Sequence, residues 1–358
     1  MLATEGAPEA NIEPTTRIRW AELGRIAELH VQGATGLDLT VGGRAVEVVA
    51  TTPGLWAQRT LDAYRPLFEN LAGALHRPTA PGDAVVAPDD ADGGPEAMLS
   101  GLFQMLGPSL LGMSAGSMIG HLARRNFGSY DLPIPRPVTH EVLVLPASVT
   151  RFADDWSLPG DELALWVCLS ELTHHAVLNI PHVHRALDDL IGRYVAAFRA
   201  QPDDLMDRFA SLESPSADPA DLQRMFGDPQ VLLGAITSPE QQALVPQLDA
   251  LIAVVLGYVD HVLDQAAPRV VSATTRIAEA VRRHRTDAGQ ADQFVEKLFG
   301  LSLNRSQVER GTAFVEGVIE RTGGPDGLNR LWQDARALPT PAEVDAPGLW
   351  LARLEYDA

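Results

Sequence analysis

Four of the ten histidines fall between residues 174 and 184: His174, His175, His182 and His184. The text leading into them reads Trp166-Val-Cys-Leu-Ser-Glu-Leu-Thr-His-His175. Set against the H-E-x-x-H pattern of zinc peptidases, Glu171 matches the glutamate, His174 matches the second histidine, and Ser170 stands where the first histidine would be. That pattern works because two histidines four residues apart share one helix face and chelate Zn²⁺, while the adjacent glutamate activates the metal-bound water. Serine is not an ordinary zinc ligand, and Glu-x-x-His alone also fits a helix end decorated with surface histidines. His175 lies four residues after Glu171, so that pair also shares a face and could chelate. His182 and His184 follow Pro181, which places them as exposed residues at a helix start.

Other chemistries find less support. Cys168 sits in an apolar run and reads as a core residue rather than a nucleophile. Ser170 and His174 could pair at i, i+4 with Glu171 nearby, but a serine hydrolase also needs an oxyanion hole, and no residue supplies one. Gly112, Gly116 and Gly120 form a small-residue ridge for close helix packing, without the lysine and hydroxyl of a phosphate loop. The six tryptophans, at 20, 56, 156, 166, 332 and 350, read as core anchors.

The elements that would carry these residues are mostly helical. Periodicity and caps predict a helix over 160–179, with Asp161 and Glu162 complementing its dipole, and another from Pro181 to about 200. Leu244–Ala267 reads as a long apolar helix. Further helices are predicted over 18–37, 54–75, 276–283, 290–299, 306–322 and 325–338, and one ending near Arg125. Residues 37–51 suggest short extended segments, 131–137 (DLPIPRP) an extended stretch, and Glu141–Leu145 a strand. Residues 1–16 read as a flexible tail and 17–358 as a single domain, with mobile loops near 77–96 and 201–241.

Composition narrows the function class. The chain has 358 residues, 46% of them hydrophobic, and a net charge of −19, which suits a soluble globular protein and argues against nucleic acid or an anionic membrane as partner. The uncharged stretch 97–120 is long enough to span a bilayer, but Pro108 and five Ser or Gln residues interrupt it, so it reads as a core helix. The start of the chain lacks the basic and apolar regions of a secretory signal, so a cytoplasmic location is expected. One cysteine excludes an intrachain disulfide and a multi-cysteine metal cluster. Lys297 is the only lysine beside many arginines, a usage typical of a GC-rich genome.

Three longer stretches carry a resemblance: PASVTRFADDWSLPGDELALWVCLSELTHH (146–175), LGYVDHVLD (256–264), and FGLSLNRSQVERGTAFVEGVIERTGG followed by LPTPAEVDAPGLWLARL (299–354). Together they resemble the zincin-like metallopeptidase type 2 family of actinobacteria and relatives, from about Val46 to Leu354. Its members are commonly labelled zinc-dependent hydrolases or linked to deazaflavin-cofactor biosynthesis. The resemblance implies a mainly α zincin-like metallopeptidase fold, with a small β element, including Glu141–Leu145, near the active-site cleft. It also implies a site built from W-V-x-x-H-E-x-T-H on one helix and E-G-(Y/H)-x-(D/E) on a second. The two histidines and the later glutamate would be the zinc ligands, and the first glutamate the general base. Carried over, Glu171 is the base and His174 the second histidine. Ser170 replaces the first histidine, and Leu256 replaces the glutamate before Gly257-Tyr258. The resemblance therefore implies that the 160–179 and 244–267 helices pack side by side, with Ser170, Glu171, His174 and Leu256 facing one cleft.

Two of three protein ligands are thus absent, at separate places in well-matching text. The expectation is a pseudo-peptidase without a cofactor, with Glu171 and His174 vestigial and a cleft open to a peptide or protein partner. The alternative is an active metal-dependent hydrolase with a rebuilt zinc site, using Glu171, His174 or His175, and Asp260 or His261.

Overall fold

The computed structural model describes residues 9–75, 112, 115–198, 238–286 and 289–356. The expected loop at 77–96 lies outside these, as does most of 201–241; residues from Ser238 onward already cap and begin a helix. The first helix, α1, spans Pro14–Thr35, four residues earlier than expected, because Pro14 at the first turn needs no hydrogen-bond partner for its nitrogen. Within the predicted tail, Glu9 accepts a hydrogen bond from the Gly54 amide at 2.7 Å.

Strand β1 (Glu47–Ala50) pairs in parallel with β2 (Glu141–Val144), with Glu47 opposite Glu141 and Ala50 opposite Val144. Between them in sequence come α2 (Pro53–Ala63), α3 (Arg65–Leu75) and a helical stretch over 115–125, α4. The single helix predicted over 54–75 is therefore two. Pro66 cannot donate to the preceding turn, and Tyr64 closes α2. Helix α5 (Pro146–Asp155) starts directly after the strand, where no helix was predicted.

The centre of the molecule is α6 (Gly160–Leu178), followed after a bend by α7 (Pro181–Ala196). From Leu163 to Leu178 every residue of α6 except Ser170 is buried, the pattern of a helix covered on all sides. Against it packs α8 (Pro239–Ala266), opened by a Ser238/Gln241 capping box. This helix, with its short extension to Arg269, is apolar and long enough to cross a membrane, and 67% of its most apolar window is buried in the protein. Helices α9 (Thr274–Thr286), α10 (Gln290–Phe299) and α11 (Arg305–Thr322) follow. The helix predicted over 325–338 is instead two 3₁₀ segments, Pro325–Trp332 and Ala335–Ala337. Asp334 interrupts it, its side chain accepting from the amides of Arg336 and Ala337. Two short helices, α12 (Pro341–Asp345) and α13 (Pro347–Tyr356), close the described chain. One continuous apolar cluster reaches from Trp20 to Leu351, so these elements share one core.

Candidate functional site

Helix α6 places Ser170, Glu171 and His174 beside Leu256 of α8 around one partly open cavity of ≈ 80 Å³. Trp166, Asn126, Tyr130 and Arg285 also line it. The imidazole of His174 is fixed by its own helix. Its Nδ1 lies 2.9 Å from the Ser170 carbonyl oxygen, which can only accept, so Nδ1 carries the proton and Nε2 keeps a lone pair. The bond uses the backbone of Ser170, not its hydroxyl. That buried Nε2 has no hydrogen-bond partner among the described residues. Burial, and next the nearby Arg285 charge, push the His174 pKa down to about 4, so the ring is neutral at neutral pH.

Glu171 is engaged in a different way. Its carboxylate accepts from the backbone amide of Ser129 at 2.7 Å and from that of Tyr130 at 3.1 Å. Asp131 holds the two preceding amides, Phe127 at 2.7 Å and Gly128 at 2.8 Å. Four successive amides, 127–130, thus close on two carboxylates, an oriented array suited to anionic charge. Gly128 is required here by close approach, since a Cβ would sit 2.7 Å from one Glu171 oxygen. From the far side, buried Arg136 donates to the Ser129 carbonyl at 3.2 Å and to the Thr60 hydroxyl at 3.1 Å. The turn also covers a strand edge. Gly128 bridges Val144 in antiparallel fashion, and the Leu145 amide donates to the Phe127 carbonyl. Glu171 is therefore tied to the sheet through residues 127–130, which lie between the cavity and β2. Burial, and next the neighbouring Asp131 charge, raise the Glu171 pKa well above the ordinary range.

The remaining sequence candidates lie apart. His175, on the next position of α6, does not line the cavity. Its Nδ1 meets the Tyr130 hydroxyl at 2.9 Å and the Asn179 amide nitrogen at 3.0 Å. Burial lowers its pKa to about 4. Asp260 is held by Arg285, whose guanidinium reaches both carboxylate oxygens at 3.3 Å. Neither Asp260 nor His261 lines the cavity. His182 and His184, predicted as exposed, are half-buried, because the bend after α6 folds the first turn of α7 back; His184 Nδ1 lies 3.2 Å from the Leu178 carbonyl. Trp156 also departs from its predicted place in the core, being 40% exposed at the end of α5.

The donor set does not fit zinc. One imidazole lone pair faces the cavity beside an apolar leucine and a serine, the nearby carboxylate of Glu171 is taken by amides, and the guanidinium of Arg285 brings positive charge. Among the described residues no three His, Cys, Asp or Glu side chains stand together as a metal-holding group, whereas zinc sites need three or four protein ligands.

The roles of Gly128, Asp131, Arg136 and Arg285 were not legible in the sequence. The DLPIPRP stretch, holding Asp131 and Arg136, gave only an extended segment.

The two buried histidines make stability depend on acid. Between pH 4 and 6.5 the unfolded chain binds protons that the folded chain refuses, so stability rises with pH across that window and is lost as pH falls through it. The raised carboxyls of Asp131 and Glu171 act oppositely, favouring the folded state where they stay protonated and costing stability as pH rises. A His174→Phe variant separates the two. Its stability difference between pH 4 and 6.5, from chemical denaturation, should shrink by on the order of 2 kcal/mol relative to wild type. Identical pH slopes would mean that His174 is not held neutral by burial.

Comparison with known proteins places the fold. A family model described as "Zincin-like metallopeptidase" matches residues 2–351. Among solved structures, a chain from Chloroflexus aurantiacus, described as "a putative hydrolase with a novel fold", is similar with a TM-score of 0.63 at 21% identity, over 99% of this chain and 95% of that one. At that identity the likeness is one of fold. No match is found among curated proteins.

Proposed function

This chain belongs to the zincin-like metallopeptidase family, and we propose that it is a member without the zinc site, a pseudo-peptidase whose cavity serves binding or structure rather than hydrolysis. The observation that carries the reading is the state of Glu171. In an active site of this kind the glutamate must be free to take a proton from metal-bound water. Here its oxygens receive the amides of Ser129 and Tyr130 and so hold the turn against β2. His174 keeps an open Nε2, but Ser170 and Leu256 provide it with no partner ligands.

The alternative, an active hydrolase with a rebuilt metal site, would need Glu171 to leave the Ser129 and Tyr130 amides, and in addition either His175 to leave Tyr130 and Asn179 or Asp260 to leave Arg285. Built on His174 and His261 instead, it would need His261, which does not line the cavity, to enter it, so this reading is the less supported one. The cavity holds two further buried donors without partners among the described residues, Trp166 Nε1 and Asn126 Nδ2. Its volume suits a few ordered waters or a very small polar group, not a peptide side chain of any size.

Two measurements test the proposal. Elemental analysis after incubation with Zn²⁺ and desalting should find near zero zinc; about one ion per chain, lost in His174→Ala, would mean a working site and overturn it. The anchoring role of Glu171 predicts that Glu171→Ala lowers stability by about 2–4 kcal/mol, because two buried amides lose their acceptor. Native stability in that variant would sink the anchor.

A further inference from the structure

Beyond the cavity beside α6, on the other side of the wall formed by Arg125, Phe127 and His284, opens a second cleft of ≈ 400 Å³. We propose that this cleft binds an aromatic phosphate of mononucleotide size. Its inner wall is a continuous set of four rings. Phe127 and Phe152 are 5.0 Å apart, His284 stacks on Phe127 at 4.8 Å and contacts Phe152 at 4.9 Å, and Trp156 follows at 5.6 Å from Phe152. Trp156 is 40% exposed, so at the outer end of the set it offers aromatic surface to a further ring.

The rim is basic. Arg124, Arg125 and Arg151 line it with His121, and Asp155 is the one carboxylate on the lining. This clustering is unusual in a chain of net charge −19. Arg125 is paired with Asp292. Arg151, which is exposed, meets the Arg124 backbone carbonyl rather than a carboxylate. A second observation reports the local field. The His121 proton is disfavoured first by burial and then by the charges of Arg124 and Arg125, so an anion would be welcome where that proton is not.

The ring wall and the rim therefore ask for both halves of one ligand. Stacking on exposed aromatic faces tolerates any planar ring, and arginine favours phosphate through paired N–H donors. The volume lies within the range of small-molecule sites. The acidic net charge makes a nucleic-acid polymer the wrong occupant.

The test uses the full chain and three probes: adenosine 5′-monophosphate, adenosine, and inorganic phosphate. Calorimetry should detect the monophosphate with a Kd of about 1 mM or tighter, with the other two at least about tenfold weaker. Proton NMR should show the His121 pKa rising when the monophosphate binds. Arg151→Glu, with circular dichroism to establish that it folds, is expected to weaken binding about tenfold or more. Trp156→Ala should weaken it about fivefold or more. Absence of monophosphate binding at 10 mM (roughly ten times the expected Kd) would overturn the proposal. So would equal binding by Arg151→Glu or by adenosine alone. Binding of inorganic phosphate as tightly as the monophosphate would reduce the site to an anion patch and refute the stacking role of Trp156.

Discussion

Ser170→His combined with Leu256→Glu is expected to raise bound zinc from near zero to about one ion per chain. Both positions line the same cavity as His174, and His174 already presents a fixed Nε2 lone pair, its Nδ1 proton being given to the Ser170 carbonyl. That orientation of one ring nitrogen by a backbone acceptor is what metal-binding histidines use. The substitutions therefore add two ligands to a third that is preset. Two costs oppose them. A glutamate at 256 replaces a leucine that is 2% exposed, and a buried carboxylate without a partner is strongly disfavoured. Arg285, on the same lining, offers that carboxylate a counter-charge in the metal-free protein and competes with zinc for it. The measurement is zinc per chain after desalting, with circular dichroism to establish that the variant folds. Adding His174→Ala should remove the metal again. A folded double variant that binds no zinc would show that Ser170 and Leu256 are not the ligand positions.

Gly311→Ala should cost about 3 kcal/mol or more, with Tm lower by about 5 °C or more. In an open helix the same change gains about 1 kcal/mol, because alanine is the better helix former. Here the backbone decides the sign. Helices α8 and α11 cross at Gly257 and Gly311. A Cβ on Gly311 would sit 2.8 Å from the Ala253 carbonyl carbon and closer to its oxygen, and a Cβ on Gly257 would sit 2.9 Å from the Gly311 Cα. These neighbours are main chain and cannot rotate away, so the helices must separate and lose packing along their length. Gly33→Ala on α1 is the control, since a Cβ there meets nothing within 4 Å. It should be neutral or slightly stabilising. If both variants melt alike in thermal denaturation, the close crossing is not what the glycines are for.

The crossing also explains part of the text that carried the family resemblance. Gly257 follows Leu256 directly. The close approach it permits sets α8 against α11, while Leu256 faces the α6 cavity. Gly257 thus holds the helix in place directly beside an apolar residue at the position that the resemblance assigns to a ligand.

What the sequence determined by itself was local and periodic. Helical spacing, first-turn acids and proline punctuation gave α6, α7, α8 and α11 with small errors at their ends. Spacing along α6 put Ser170, Glu171 and His174 within reach of one another, and the family resemblance, not any spacing in the chain, set Leu256 against them. Tertiary structure alone decided what those groups do. Glu171 meets amides 42 and 41 residues away in sequence, and Asp260 meets an arginine 25 residues on. No periodic pattern encodes such distant pairings, because the helix and strand repeats report which face a residue lies on, and not what the chain later brings to that face. The same holds for Trp156, which composition marks as a core residue but which stands at the open end of a ring cluster assembled from α5 and the chain around Phe127 and His284. Hydrophobic burial selects faces, whereas charge pairing and close backbone approach select partners, and only the folded chain fixes the second.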